Sequence, residues 1–166
     1  MTLPGWAIIA LGSNLGDSIE IIQQAIVKLQ ELSDAPEARS SLWRTTPVDC
    51  PPGANDFINA VVKIKPREGE TAETLLAKLQ ALEKEFGRRP KKVMNEARPL
   101  DLDLLAFGDE IRSAPGLMLP HPRAHLRRFV LAPLAEIEPN LLWPGQQKSV
   151  RELLATLRTE EAIQRV

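Results

Sequence analysis

The order of strand-like and helix-like segments limits what this chain can fold into more than any other feature of its sequence. An apolar run over 6–11 ends at Gly12, and apolar residues then recur every three or four positions over 19–29. The first pattern predicts a buried strand, and the second predicts an amphipathic helix with Asp17 or Ser18 as its N-cap. The chain therefore begins with a strand followed at once by a helix.

The same two patterns recur further along the chain. Strand-like composition covers 38–44, 56–64 and 100–107. A stripe of leucines that ends at Gly87 indicates a helix over 71–86. Two more helices are indicated over 123–136, with an interruption near Pro133, and over 149–158. The resulting order, β-α-β-β-α-β followed by helices, predicts an α+β, ferredoxin-like sandwich with additional C-terminal helices. Since no repeat or linker interrupts it, we expect residues 1–166 to form one domain.

Composition excludes several classes of protein. With 166 residues, 43% hydrophobic and 26% charged, the chain can bury a core. A net charge of −1 gives no overall attraction to nucleic acid or anionic lipid. The single cysteine, Cys50, cannot form an intrachain disulfide and fits a reducing compartment. The run over 6–11 is too short for a membrane span and lacks the basic leader of a signal peptide. We therefore expect a cytoplasmic protein with no membrane or nucleic-acid partner.

Two carboxylates lie two positions apart in the last predicted strand. Asp101 and Asp103 alternate with Leu100, Leu102 and Leu104. Because side chains alternate across a strand, the leucines should face the core and the aspartates should share the opposite face, about 6.5–7 Å apart. Neighbouring anions suit a hard cation such as Mg²⁺. A solvent-exposed acidic face would give the same pattern.

Basic residues lie on both sides of this strand. Between Arg88 and Arg98 there are five basic residues and one acidic residue, and a second cluster follows the strand at His121, Arg123, His125, Arg127 and Arg128. Cations next to a metal-binding strand suit a polyphosphate–Mg²⁺ complex. On a helix starting near Arg123, Arg123 and Arg127 would share a face. Taken alone, either cluster could be a solvated charge run.

Two further groups of side chains could hold an organic substrate. Leu76, Gln80 and Glu83 lie along one flank of the helix over 71–86, where they could contact a nucleotide base or ribose. Phe57 and Asn59 share a strand face and would form a platform for a flat heterocycle, with Phe129 as a second aromatic candidate. The alternatives are an ordinary helix flank and core phenylalanines.

Four motifs in order now carry a family resemblance. They are ALGSNLGD at 10–17, DFINA at 56–60, RPLDLDL at 98–104, and LPH at 119–121 with Arg127 and Phe129 after it. Over about residues 7–144 the chain resembles the 6-hydroxymethyl-7,8-dihydropterin pyrophosphokinases of folate biosynthesis. The resemblance implies transfer of the β,γ-diphosphate of ATP to the hydroxymethyl group of the pterin, with release of AMP.

The resemblance also implies residue roles and a metal, and we expect a monomer. Two Mg²⁺ ions are expected on Asp101 and Asp103. Pterin contacts fall on Thr45, Val48, Phe57, Asn59 and Phe129; ATP contacts fall on Gln80, Glu83, Arg98, His121 and Arg127; and Arg88 helps to assemble the closed site. The family's Arg-Trp-Gly-Pro-Arg reads MNEAR at 94–98, which keeps only the final arginine.

Two other classes of protein share parts of this pattern. An RNA-recognition module has the same β-α-β-β-α-β order, but its aromatic-rich strand motif is missing here. A Mg²⁺-dependent nuclease could use the aspartate pair, and it would differ from a kinase by releasing AMP without the pterin.

Overall fold

The computed structural model describes residues 5–46, 55–87, 99–159 and 161–166. Four α-helices are described: α1 (Ser18–Gln30), α2 (Ala72–Glu85), α3 (Arg128–Ile137) and α4 (Val150–Thr156). The strands are β1 (Ala7–Ser13), β2 (Ala38–Arg39), β3 (Trp43–Thr45), β4 (Phe57–Ile64), β5 (Asp101–Phe107), β6 (Arg112–Ala114), β7 (Leu117–Leu119) and β8 (Ile163–Arg165).

The first two helices begin where their sequences supply caps. The Asp17 carboxylate accepts a hydrogen bond from the Glu20 amide at 3.3 Å at the start of α1. Thr71 and Thr74 exchange side-chain-to-backbone hydrogen bonds at the start of α2. After α2, Gly87 takes a φ of +94°, which glycine adopts without steric cost.

The main sheet has the strand order β5-β1-β4-β3-β8, with β2 beside β4. All of its neighbouring strands are antiparallel. An antiparallel sheet with helices against it confirms the predicted α+β class. Strands β6 and β7 form a separate hairpin.

Each face of the sheet has its own core. One core joins β1, β4 and β5 to the apolar faces of α1 and α2 through fully buried side chains such as Ile9, Leu11, Ile22, Leu75 and Leu79. The other joins the same strands to α3 and α4 through Ile8, Val61, Leu105, Leu134 and Trp143. Within the described residues, no helix is both long and apolar enough to cross a membrane.

Two local predictions were wrong, and three strands were missed. The strand predicted over 38–44 is two short strands, because Ser40 bonds to Val61 through its hydroxyl and breaks the ladder. The helix predicted over 123–136 is a 3₁₀ turn at Ala124–Leu126 followed by α3, which continues through the buried Pro133. The strands β6, β7 and β8 were not predicted.

Candidate active site

The two aspartates lie on β5, which is an outer strand of the main sheet, and they share one face of it, as the alternation predicts. Leu100, Leu102 and Leu104 are at most 5% exposed and belong to the core under α1 and α2. Asp101 and Asp103 are half-buried and alternate with those leucines, so they face the other side of the sheet. The strand therefore has one apolar face and one acidic face.

The free edge of β5 is fixed at the residue between the aspartates. The carboxylate of Glu83, on α2, accepts a hydrogen bond from the Leu102 amide at 2.8 Å. Glu83 is only 8% exposed. An outer strand leaves alternate N–H groups without a strand partner, and a buried carboxylate bond to such a group fixes it strongly. Glu83 thus holds the backbone that carries both aspartates.

A row of paired residues crosses the sheet from Asp101. In the strand register Gly12 pairs with Asp101 on one side and with Asn59 on the other. A Cβ atom at Gly12 would lie 3.1 Å from Asn59 Nδ2, tighter than ordinary van der Waals contact. Glycine in the middle of the row therefore leaves the space that the Asn59 amide occupies.

Thr45 orients the amide of Asn59. The Thr45 hydroxyl donates to Asn59 Oδ1 at 2.7 Å, and Asn59 Nδ2 donates to the Leu11 carbonyl at 3.5 Å. Thr45 is 3% exposed and Asn59 is 6% exposed. Phe57 pairs with Thr45, lies two residues before Asn59 and is half-buried. The aromatic ring and the amide thus share one face, as predicted.

His121 is held beside the acidic strand. Its amide donates to the Leu105 carbonyl at 2.8 Å, and its Nδ1 accepts from the Arg123 amide at 3.1 Å, which places the proton of the neutral ring on Nε2. Burial lowers the pKa of His121, and the charges of Arg127 and Arg123 lower it further, while Asp101 opposes them. The neutral ring therefore offers an Nε2–H donor.

Arg127 lies at the break before α3 rather than on a helix. Its backbone is extended, with φ −118° and ψ 120°, so the prediction that it shares a helix face with Arg123 was wrong. The guanidinium carbon of Arg127 lies 5.4 Å from the centroid of the Phe129 ring. This is a cation–π distance, and it joins a basic candidate residue to an aromatic one.

The remaining candidate residues divide between described and undescribed parts of the chain. On α2, Leu76 is half-buried, Gln80 is exposed and Glu83 is buried. Val48, Arg88 and Arg98 lie outside the described residues. In the sequence, 47–54 precede β4 and 88–98 precede β5.

The metal-binding capacity of the site rests on two carboxylates. Within the four described ranges, no group of three or more His, Cys, Asp or Glu side chains could enclose a metal ion. Mg²⁺ keeps several waters and is commonly held by one or two carboxylates together with substrate phosphates. The aspartate pair fits that mode. A cleft of about 440 Å³ lies away from this pair, between α1 and α2 around Val27 and Phe86.

Two glutamates that support this region are not predicted from the sequence. Glu136 accepts a hydrogen bond from the Trp43 indole at 2.6 Å, and Glu161 accepts from the amides of Arg128 and Phe129. All three bonds join residues more than 30 positions apart. No local pattern in the sequence signals them.

The fold and the site together define a class of protein. One antiparallel sheet bears the aspartate pair and the oriented amide beside an aromatic ring, and the neutral histidine and the arginine lie next to the acidic strand. These groups suit an enzyme that transfers part of a polyphosphate to a flat acceptor. The model of the 7,8-dihydro-6-hydroxymethylpterin-pyrophosphokinase (HPPK) family matches residues 8–139. The chain belongs to this family.

Curated relatives agree with this membership. Three proteins named 2-amino-4-hydroxy-6-hydroxymethyldihydropteridine pyrophosphokinase are similar over most of their length. The Synechocystis protein is 35% identical over 89% of this chain and 74% of its own length. The Haemophilus influenzae protein is 38% identical over 85% of this chain and 86% of its own length. The Bacillus subtilis protein is 40% identical over 79% of this chain and 77% of its own length. The predicted family, enzyme and reaction, ATP-dependent pyrophosphoryl transfer to hydroxymethyldihydropterin, are confirmed.

Solved structures share the fold. A crystal structure of HPPK-DHPS in complex with substrates matches 93% of this chain with a TM-score of 0.69 and 12% identity. A Plasmodium falciparum HPPK-DHPS with pterin and p-hydrobenzoate gives a TM-score of 0.66 and 13% identity over 93% of the chain. This chain spans 43% and 44% of those two chains, so it matches less than half of each.

Proposed function

We propose that the pyrophosphoryl transfer takes place over the row formed by Asp101, Gly12 and Asn59. The observation that carries this proposal is the strand register, which separates the carboxylate from the amide by a single residue without a side chain. Two strand spacings put their backbones roughly 10 Å apart. A flat acceptor held by Asn59 can therefore extend its hydroxymethyl group toward phosphates held at Asp101.

Asp101 and Asp103 are the proposed ligands of two Mg²⁺ ions. Their half-buried carboxylates on one strand face fit ions that also take oxygen ligands from substrate phosphates and water. When bound, the metal offsets phosphate charge and lowers the pKa of a coordinated hydroxyl. The bond from the Leu102 amide to Glu83 holds the strand backbone between the two aspartates, so little reorganisation of that backbone is needed when ATP arrives.

The acceptor pocket is assigned to Thr45, Val48, Phe57, Asn59 and Phe129. Because the Thr45 hydroxyl occupies Asn59 Oδ1, the amide can present its Nδ2–H₂ group in one orientation. That group suits a ring carbonyl or ring nitrogen at the edge of the pterin. Phe57 and Phe129 supply the apolar surfaces that stack on a flat heterocycle.

The nucleotide is assigned to basic and polar groups around the aspartates. His121 offers its Nε2–H, and Arg127 and Arg98 supply positive charge for the phosphates, while Arg88 helps to complete the site over ATP. On α2, Leu76, Gln80 and Glu83 are the proposed contacts for the base or ribose. Since phosphoryl-type transfer needs little covalent chemistry from the protein, this reaction depends on positioning and charge.

The order of β1, α1, β3, β4, α2 and β5 around an antiparallel sheet supports the finer assignment to a ferredoxin-like arrangement. A single domain over 1–166, a monomeric state and a cytoplasmic location stay predictions.

The experiment that tests this function measures AMP. The protein is incubated with Mg²⁺ and ATP, with and without 6-hydroxymethyl-7,8-dihydropterin. We expect stoichiometric AMP and pterin diphosphate only when both substrates are present, and no turnover when Mg²⁺ is removed by a chelator. Equal AMP release without the pterin would indicate a hydrolase and contradict the proposal.

A further inference from the structure

The segment that leads into β8 contacts both sides of the proposed acceptor pocket. On one side β8 pairs with β3, with Ile163 opposite Thr45. The Ala162 amide also donates to the Thr46 hydroxyl at 3.3 Å, and the Thr46 amide donates to the Ala162 carbonyl at 3.1 Å. This segment therefore holds the strand that orients Asn59.

On the other side, Glu161 caps α3. Its Oε1 accepts from the Arg128 amide and its Oε2 accepts from the Phe129 amide, both at 3.4 Å. The Thr159 hydroxyl donates to Oε1 at 3.1 Å, and Arg128 Nη1 donates to the Glu161 carbonyl at 3.0 Å. Glu161 is 8% exposed. Its carboxylate thus bonds to the first two amides of the helix.

Glu161 supplies what the local sequence lacks. Arg127, the residue before α3, makes no side-chain cap bond. The first amides of a helix have no partner within it, and a carboxylate there also interacts favourably with the helix dipole. The cap comes from a residue 32 positions after Phe129 and outside residues 8–139, which the family model matches. It is a feature of this chain beyond the matched region.

A second contact fixes the far end of α3 to the same strands. Glu136 accepts from the Trp43 indole at 2.6 Å and from the Ser41 hydroxyl at 2.8 Å, and its Oε2 lies 3.4 Å from Arg165 Nη2. The helix is therefore bound to β3 and β8 near its C-terminal end by Glu136 and at its N-terminal end by Glu161.

We infer that Glu161 is a positioning residue for the acceptor substrate. It fixes the first turn of α3, and with it the Phe129 ring, relative to the strand that bears Thr45. The inference rests on the proposed function, since it takes Phe129 to be a wall of the pterin pocket. Glu161 itself is not among the proposed substrate contacts.

The first test is Glu161→Gln in the full chain. The amide side chain has nearly the same size but loses the charge, and its NH₂ group opposes the N–H donors of α3. We expect KM for the pterin to rise about threefold to tenfold while KM for ATP stays within about twofold, from the usual strength of a helix cap. If this variant does not fold, Glu161→Asp is measured under the same criteria.

Glu152→Gln is the matched control. Glu152 lies in the capping box at the start of α4, where its carboxylate accepts from the Ser149 amide at 3.1 Å. This substitution also replaces a carboxylate at a helix N-terminus with an amide. Among the described residues, however, the Glu152 side chain makes no hydrogen bond to α3 or β3. We expect unchanged KM values for both substrates. An equal rise in pterin KM in both variants would overturn the inference, because it would indicate a general loss of stability.

A double-mutant cycle separates this inference from the proposed function. Phe129→Ala should raise KM for the pterin by itself; if it does not, the assignment of Phe129 fails and the inference fails with it. If it does, adding Glu161→Gln should cause little further rise, since Glu161 acts through that ring. A full additional effect in the double variant, or none in Glu161→Gln alone, would overturn the positioning role and leave the assignment of Phe129 intact.

Discussion

The two faces of the main sheet use the same strands for different purposes. Under α1 and α2 the face is apolar and sealed, and Leu100, Leu102 and Leu104 belong to a continuous core. On the other face α3 and α4 cover Ile8 and Val61, whereas the row containing Asp101 and Asn59 is polar. The comparison shows that, of two residues adjacent in sequence, one can stabilise the core while the other lies on the face proposed for the reaction.

The alternation of leucine and aspartate along β5 separates the apolar face of the sheet from the polar face. A one-residue step along the strand moves a side chain from one face to the other. Glu83 connects the two faces, because it extends from α2 to bond the Leu102 amide between the aspartates. A substitution at an aspartate should therefore lower activity and leave the free energy of unfolding nearly unchanged. A substitution at a neighbouring leucine should lower the free energy of unfolding and leave the activity of the folded protein nearly unchanged.

The largest expected effect is that of Asp103→Ala on turnover. Removal of one proposed metal ligand should lower kcat/KM about 10³-fold or more, in line with the loss of a major electrostatic group in other active sites. The thermal unfolding midpoint should stay within about 2 °C, because the side chain belongs to neither core. Turnover near the wild-type level would contradict the assignment of Asp103 to the metal.

Leu104→Ala is the complementary change on the sealed face. Leu104 is 5% exposed, and truncating such a side chain leaves a cavity that costs about 2–5 kcal/mol of unfolding free energy. Urea unfolding measures this loss, while kcat of the folded fraction should remain near that of the wild type. A folded Leu104→Ala protein without activity would show that the two faces are not separable.

The sequence predicts the elements whose signals are local. The Leu/Asp alternation predicts the start of β5 to within one residue, and the leucine stripe predicts each end of α2 to within one residue. It also put Phe57 and Asn59 on one face. Each of these depends on a periodicity of two or 3.6 residues within one segment.

What the sequence does not reveal depends on contacts between distant segments. In β8 only Ile163 is apolar, so the pairing with β3 leaves no local signal. The helix break at Arg127 coincides with the cap supplied by Glu161, far along the chain. Pro133 remains inside α3 because burial of that helix outweighs one lost backbone hydrogen bond. The alignment of Asp101, Gly12 and Asn59 similarly requires the register of three strands.

A smaller effect is expected from Thr45→Val, which alters the polar face without altering its shape. The change removes the donor to Asn59 Oδ1, leaving a buried oxygen without that bond at a cost of about 1–3 kcal/mol. We expect KM for the pterin to rise about tenfold, measured at saturating ATP. Thr45→Ser keeps the hydroxyl and should behave nearly as the wild type. Equal KM values for the valine and serine variants would contradict the orienting role of Thr45.

The smallest effect is a proton linkage at His121. Burial and the charges of Arg127 and Arg123 lower the pKa of His121 below its ordinary value, so the unfolded chain binds this proton more readily than the folded protein. Stability should therefore fall as the pH drops below about 6.5, the ordinary histidine value, and this loss should level off once the pH is below the lowered folded pKa. His121→Gln should lack this part of the pH dependence of urea unfolding.

Nucleotide binding should reverse the shift, because phosphate charges beside the ring favour its protonated form. The complex then binds more protons than the free protein, so affinity for the nucleotide rises as the pH falls from 7 toward 6. Calorimetry with a non-hydrolysable ATP analogue in buffers of different ionisation enthalpy measures the uptake. His121→Gln is the control, since any protons taken up by the analogue itself are taken up with this variant too. We expect the wild type to take up a fraction of a proton more than the variant when the analogue binds. Equal uptake in the two proteins would place the phosphates away from His121.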